Sequence, residues 1–299
     1  MLRRNVLIFH SAALGDFLMT WPLAMALGRV LAQSRIIYVT SAQKGRLAER
    51  ALGVEFNDIE HGWHALYGQG ASLPETPVRL LKSMQLGVLF SQEKEEQALA
   101  SIAAHSADAP VLHISPNPPR GMHVWQHQLD QLKAFPVIFQ GVEQVQKLIR
   151  AQGLVRKPAG PADPIVIHPG SGAARKNWPI ERFIDLASSL RNRGKAVIIA
   201  LGEVEREQLS TADVGRLGKV AELRKCETTL DLYDLLNSAG AYVGNDSGPT
   251  HLAAMLGLRV VALFGPTSDA VAWAPVGPRV TILPFEAAPS AVESELLQG

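Results

Sequence analysis

The stretch Asn5-Val6-Leu7-Ile8-Phe9-His10, followed by Ser11-Ala12-Ala13-Leu14-Gly15 and then by Asp16 to Leu31, decides the fold class. Its first residues form a short apolar run rich in β-branched and aromatic side chains, the pattern of a strand buried on both faces. Ser11–Gly15 is a small-residue loop, and Asp16–Leu31 reads as a helix. Arg35–Thr40 is the next strand and Gln43–Leu52 the next helix. Strand, helix, strand is the repeating unit of a parallel sheet with helical crossovers. Further along, Leu86–Phe90 and Pro110–Ser115 read as strands, with Glu93–His105 a helix between them. Residues 60–78 and 116–121 are rich in Gly, Pro and His and read as loops, and Val124–Phe135 is helical by pattern.

The pattern restarts after residues 156–164 (Arg-Lys-Pro-Ala-Gly-Pro-Ala-Asp-Pro), whose prolines and glycine mark a linker. Ile165–His168 is a strand and Pro169–Asn177 a Gly/Ser-containing loop. A helix starts at Trp178-Pro179, with Gly194 past its end. Ala196–Leu201, Ala241–Gly244 and Arg259–Phe264 are strands; Leu230–Ala239 and Thr250–Leu256 are helices. Thr228 and Asp231 stand at capping-box spacing before the first of these helices. The reading is α/β, with two successive doubly wound domains, 1–157 and 158–299.

Composition agrees with a doubly buried sheet. The chain has 299 residues, a formal charge of +1, 47% hydrophobic and only 19% charged residues. That combination excludes a disordered chain. Near-neutrality, with 14 basic and 12 acidic residues in 1–150 and 15 and 16 in 151–299, argues against a nucleic-acid binder. Arg3-Arg4 before an apolar stretch imitates a signal peptide, yet Asp16 and Pro22 interrupt that stretch and no run of 18 apolar residues exists. The expectation is a chain without a transmembrane segment. Cys226 is the sole cysteine, so no intramolecular disulfide forms, and its charged surroundings fit a structural thiol in a reducing compartment.

Three loops carry chemistry. Ser11–Asp16 sits where the first strand ends, the edge at which open α/β sheets bind ligands. It has one glycine rather than three, so nothing supports a dinucleotide cofactor. Asp16 is either an N-cap or a carboxylate able to take a proton from an incoming hydroxyl. His168-Pro169-Gly170-Ser171-Gly172-Ala173-Ala174-Arg175-Lys176-Asn177 offers the amides of Ser171 and Gly172 and the Lys176 ammonium to a diphosphate, or is an ordinary loop with a solvated Arg-Lys pair. Gly244-Asn245-Asp246-Ser247-Gly248-Pro249-Thr250-His251 ends a strand and starts a helix, where free amides favour an anion. Asp246 could face sugar hydroxyls there, or only cap the helix. No Asp-x-Asp pair and no Cys/His set at zinc spacing occurs, so no metal is expected.

In order and spacing these motifs resemble the ADP-heptose:lipopolysaccharide heptosyltransferases, glycosyltransferase family 9. The matching pieces are Leu14-Gly15-Asp16 with Pro22; His168-Pro169-Gly170-Ser171 with Lys176-Asn177-Trp178-Pro179; Asn245–Ala254; and Leu263-Phe264-Gly265-Pro266-Thr267 with Trp273, Pro275 and Gly277. The resemblance implies a glycosyltransferase-B fold, with two Rossmann-like domains facing across a cleft. The first would bind the acceptor and the second the nucleotide-sugar. It implies that Asp16 is the general base, that Lys176 meets the donor phosphates, and that Ser171 and Gly172 lie beside them. It places Glu203 near the ribose, Asp246 on the sugar, Ser247 and Gly248 at the phosphates, and His251 close by. Ser11 and Gly15 fall on the acceptor side.

The function implied is inverting, metal-independent transfer of a sugar, heptose from ADP-heptose, onto a lipopolysaccharide-core or related envelope glycan, with no cofactor. The implied partners are the nucleotide-sugar and a lipid-linked acceptor at the inner membrane surface. The implied location is cytoplasmic or peripheral to that membrane. Two alternatives share these features: a nucleotide-sugar epimerase of related fold, and a non-catalytic nucleotide-sugar or glycan-binding relative. The Asn245–Ala254 motif favours the transferase over the first, and the presence of Asp16, Lys176 and Asp246 favours it over the second.

Overall fold

The computed structural model describes residues 4–68, 72–93, 95–106, 108–155, 160 and 162–298. Arg3, residues 69–71 of the expected 60–78 loop and most of the 156–164 stretch lie outside them. The chain divides into two compact units, Met1–Gln146 and Lys147–Gly299.

The first unit runs β1 (Asn5–Phe9), α1 (Leu14–Met19), α2 (Trp21–Val30), β2 (Arg35–Thr40), α3 (Ala42–Leu52), β3 (Glu55–Asp58), α4 (Glu75–Lys82), β4 (Met84–Phe90), α5 (Glu96–His105), β5 (Val111–Ile114) and α6 (Val124–Gln131). Helix α7 (Pro136–Gln152) carries the chain into the second unit. The sheet order is β3-β2-β1-β4-β5, with every pair parallel. All five residues of β1 are buried, as an inner strand covered on both faces requires. On one face Leu7 and Phe9 pack with Ile37, Val39, Trp63 and Leu81. From the other side of the sheet, Phe17 meets the Tyr38 ring edge-on at 4.8 Å.

The single helix expected over Asp16–Leu31 is two helices broken at Thr20. Pro22 is the cause: it has no N–H for the Leu18 carbonyl, and its ring crowds that turn. The Thr20 hydroxyl fills the break by donating to the Phe17 carbonyl (2.7 Å) and pairing with the buried Tyr38 hydroxyl (2.7 Å). The expected 60–78 loop also holds a 3-10 turn at Trp63–Leu66 and the start of α4.

The second unit runs β6 (Ile165–His168), α8 (Ile180–Asn192), β7 (Val197–Leu201), α9 (Glu203–Gln208), α10 (Thr211–Val220), β8 (Glu222–Lys225), α11 (Thr229–Ser238), β9 (Ala241–Asn245), α12 (Gly248–Leu256), β10 (Arg259–Phe264), α13 (Ala270–Trp273), β11 (Arg279–Pro284) and α14 (Pro289–Leu297). Its order, β11-β10-β9-β6-β7-β8, is again all parallel. The Thr228–Asp231 capping box forms as the spacing predicts. The chain just past α7 docks here by backbone: Leu154 N–H donates to the Met255 carbonyl (2.7 Å). Gly153 and Gly257, both at positive φ, pass so closely that a Cβ on Gly153 would lie 2.5 Å from the Gly257 Cα. Cys226 is buried, and burial above all pushes its thiol up to about 11, as suits a structural role.

Both sheets reverse direction at one place. In the first unit the order turns between β1 and β4; in the second, between β6 and β9. Such switch points, beyond the carboxyl ends of the strands, are where doubly wound sheets bind ligands. The three sequence motifs follow β1, β6 and β9.

Candidate functional site

In the second unit the switch point is built from two loops tied by one side chain. Asn245, fully buried at the end of β9, donates from Nδ2 to the carbonyls of Pro169 (2.7 Å) and Gly170 (3.2 Å). Its Oδ1 accepts from the Trp178 N–H (2.8 Å). The loop after β6 is thereby pinned at both ends. Inside it, the Ser171 hydroxyl donates to Asn177 Oδ1 (2.7 Å), which turns the chain into the 3-10 turn Ala174–Lys176. Ser171 is buried, whereas Gly172 and Arg175 are exposed.

That turn brings Lys176 to Asp246. Lys176 Nζ donates to Asp246 Oδ2 at 2.8 Å, with Asp246 8% and Lys176 30% exposed. The ammonium is thus held by a nearly buried carboxylate while one side stays open to a further anion. Asp246 is not the helix cap: Ser247 holds that position, and the Asp246 N–H is used by the Leu263 carbonyl (3.1 Å). At the head of α12, Thr250 anchors the turn. Its hydroxyl donates to the Asn245 carbonyl (2.5 Å) and approaches the Ser247 hydroxyl (3.2 Å) and the buried Tyr242 hydroxyl (3.1 Å). Gly248 is half-buried, and His251 is buried one turn into α12. Lys176, Ser171, Asp246, Ser247 and Gly248 therefore belong to one pair of joined loops.

The expected Glu203 stands exposed at the first position of α9, at the carboxyl end of β7. Two residues on, Glu205 turns inward. It accepts from the Gly202 N–H (2.8 Å), lies 3.4 Å from His168 Nε2, and occupies the space a side chain on Gly170 would need. Burial pushes its carboxyl up, but the His168 hydrogen bond and charge, with the Gly202 and Glu205 amides, outweigh that and hold it below the usual range. Glu205 was not singled out from sequence, although Gly202-x-x-Glu205 has the spacing of a helix-start carboxylate.

In the first unit, Ser11 is exposed, Gly15 and Asp16 are half-buried, and all three follow β1 at its switch point. Asp16 is the third residue of α1, and the cap is Ala13, which makes no side-chain bond. The capping reading of Asp16 thus falls away. His10, buried at the strand end, is pushed down to about 3, first by burial and then by the nearby Lys44 charge. Among the described residues, no group of three or more His, Cys, Asp and Glu stands ready to hold a metal, and no helix is long and apolar enough to cross a membrane.

Two parallel, doubly wound units, each with its motifs at the switch point, define the architecture of glycosyltransferases of the B type. Solved structures share it. Over 98% of this chain and 97% of theirs, the coordinates of Escherichia coli ADP-heptose LPS heptosyltransferase II superpose with a TM-score of 0.69 at 17% identity. A family 9 glycosyltransferase of Veillonella parvula gives 0.70 at 16%, over 94% of this chain and 86% of that one. At these identities the likeness is one of fold. The model of glycosyltransferase family 9 (heptosyltransferase) matches residues 133–298, more than half of the chain. The chain belongs to that family. Lipopolysaccharide heptosyltransferase 3 of E. coli K12 is 30% identical over 37% of this chain, and lipopolysaccharide heptosyltransferase 1 of Pseudomonas aeruginosa is 33% identical over 39%. The matched part spans about a third of the length of these curated relatives.

Proposed function

We propose that this protein transfers a sugar from a nucleotide-sugar, heptose from ADP-heptose, onto a lipopolysaccharide-core or related envelope glycan, with inversion at the anomeric carbon. The Lys176–Asp246 pair carries this reading: an ammonium and a carboxylate 2.8 Å apart, beside the amides that open α12. That arrangement suits a sugar diphosphate, with phosphate on the cation and amides and hydroxyls on the carboxylate. In the reaction Asp16 takes the proton of the acceptor hydroxyl as its oxygen attacks the anomeric carbon. The bond to the diphosphate breaks in the same displacement, and the nucleotide leaves with growing negative charge. Lys176 and the amides of Ser247 and Gly248 meet that charge, work that elsewhere falls to a metal ion. Ser171 and Gly172 line the phosphates, Glu203 takes the ribose hydroxyls, and His251 supports the sugar side.

On this reading the first unit serves the acceptor, with Ser11 and Gly15 beside Asp16, and the second serves the donor. The boundary proposed from sequence, 157/158, keeps these roles apart. The acceptor is lipid-linked and presented at the inner membrane surface, so the protein works in the cytoplasm or against that membrane. Calorimetry with ADP-, UDP-, GDP- and CMP-sugars tests the donor. The expected result is binding of ADP-heptose with ADP as competitor; preference for another base would overturn the donor assignment. Mass spectrometry of an acceptor glycan incubated with the donor and enzyme tests transfer.

A further inference from the structure

Asp16 stands near the start of a short helix. Helix α1 has six residues, its cap makes no side-chain bond, and the residue before Asp16 is Gly15. The three residues leading into it, Ser11, Ala12 and Ala13, are all exposed. A helix this short is marginal without outside contacts, and a glycine adds freedom at the point where direction matters.

One side chain from another element grips the loop that leads into this helix. Lys44, in the first turn of α3, reaches back to the loop after β1. Its Nζ donates to the Ala12 carbonyl (2.5 Å) and the Ser11 carbonyl (3.4 Å) and lies 6.0 Å from the centre of the Phe17 ring. Burial lowers the Lys44 ammonium, and the Asp16 carboxylate raises it in return. The same cation acts on His10 beneath the loop. These exposed carbonyls would be satisfied by water, so their own needs do not explain a half-buried ammonium there.

We propose that Lys44 is a positioning residue for Asp16, clamping the Ser11–Ala12 backbone so that the carboxylate is presented to the acceptor hydroxyl in one direction. This rests on the reading of Asp16 as the general base. The clamp acts on orientation, so its loss shows in turnover rather than in donor binding.

The test compares Lys44→Met, Lys44→Arg and Asp16→Asn in the full-length protein with nucleotide-sugar and acceptor. Lys44→Met is expected to lower kcat about ten- to a hundred-fold. The dissociation constant for ADP should stay within about two-fold of the parent, and Lys44→Arg, which keeps a donor cation, should recover most of the rate. An unchanged melting temperature certifies that each variant is folded. If Asp16→Asn turns over at the parent rate, the reading of the base fails, independently of Lys44. If Asp16→Asn is inactive but Lys44→Met keeps the parent kcat, the positioning role is overturned. A rise in acceptor KM at unchanged kcat overturns it too, because Lys44 would then be binding the acceptor. So does a Lys44→Arg variant as slow as Lys44→Met.

Discussion

Lys176 and Asp246 meet at 2.8 Å, yet Lys176 keeps 30% of its side-chain surface open. The nearly buried Asp246 carboxylate needs this cation, and on the proposed reading the open side of the ammonium receives the incoming anion. Replacing Lys176 with methionine should raise the ADP dissociation constant about ten-fold or more and lower turnover with it. Calorimetry and a transfer assay read both, and an unchanged pair of values would refute the role. His10 offers a second test at this scale. Its imidazole is pushed down to about 3, well below the ordinary 6.5, because burial and the Lys44 charge disfavour the cation. The unfolded chain therefore binds the extra proton first, and stability falls as pH drops from about 6.5 toward about 3. Urea midpoints across that range should decline less steeply in His10→Asn than in the parent; parallel curves would count against the assignment.

Among the elements, the break between α1 and α2 rests on a single threonine. Thr20 joins the Phe17 carbonyl to the Tyr38 hydroxyl, and burial pushes that phenol further up from its usual value, so it stays a neutral hydrogen-bonding group. Thr20→Val keeps the shape and the backbone bond from Thr20 N–H to the Phe17 carbonyl (3.0 Å) but leaves the buried Tyr38 hydroxyl without this partner, at a cost of about 1–3 kcal/mol. Chemical denaturation measures it, and a loss below about 0.5 kcal/mol would show that water had replaced the hydroxyl.

The inner strands were legible in sequence because burial on both faces demands continuous apolar runs, as in β1, β6 and β9. Of the edge strands, β5 was legible but β3, β8 and β11 were not. β3 reads Glu-Phe-Asn-Asp and β8 reads Glu-Leu-Arg-Lys, charged and partly exposed, as an edge that must resist pairing with another chain would be. Helix α7 was not read either, although it has an apolar stripe and is punctuated by Pro136 at its start and Gly153 just past its end. At the site, the types and order of residues announced the loops at β1, β6 and β9. What sequence withheld were partners distant in the chain: Glu205 under Gly170, Lys44 on the Ala12 carbonyl, and Asn245 across three backbone groups. Those pairings depend on register, which one sequence does not display.

For the molecule as a whole, both sheets turn at their first strand, so each unit presents one ligand edge. If the donor belongs to the second unit, its binding should slow hydrogen exchange first in residues 168–178 and 245–256. The first-unit loop 10–16 should respond only when acceptor is added. Exchange mass spectrometry with ADP alone separates the two, and equal protection in both units would contradict the division of labour.

The Asn245 amide has one more consequence, and it concerns chemical ageing. Asparagine is lost when the next residue's backbone nitrogen attacks the side-chain carbonyl and closes a five-membered imide. Here that nitrogen, of Asp246, is engaged by the Leu263 carbonyl, and the amide it would attack is held by three hydrogen bonds. The bonds that join the two loops therefore also keep the joining residue from turning into an aspartate. That change would remove two donors and set a negative charge against the carbonyls of Pro169 and Gly170. So long as the protein is folded, its site is protected from this form of decay.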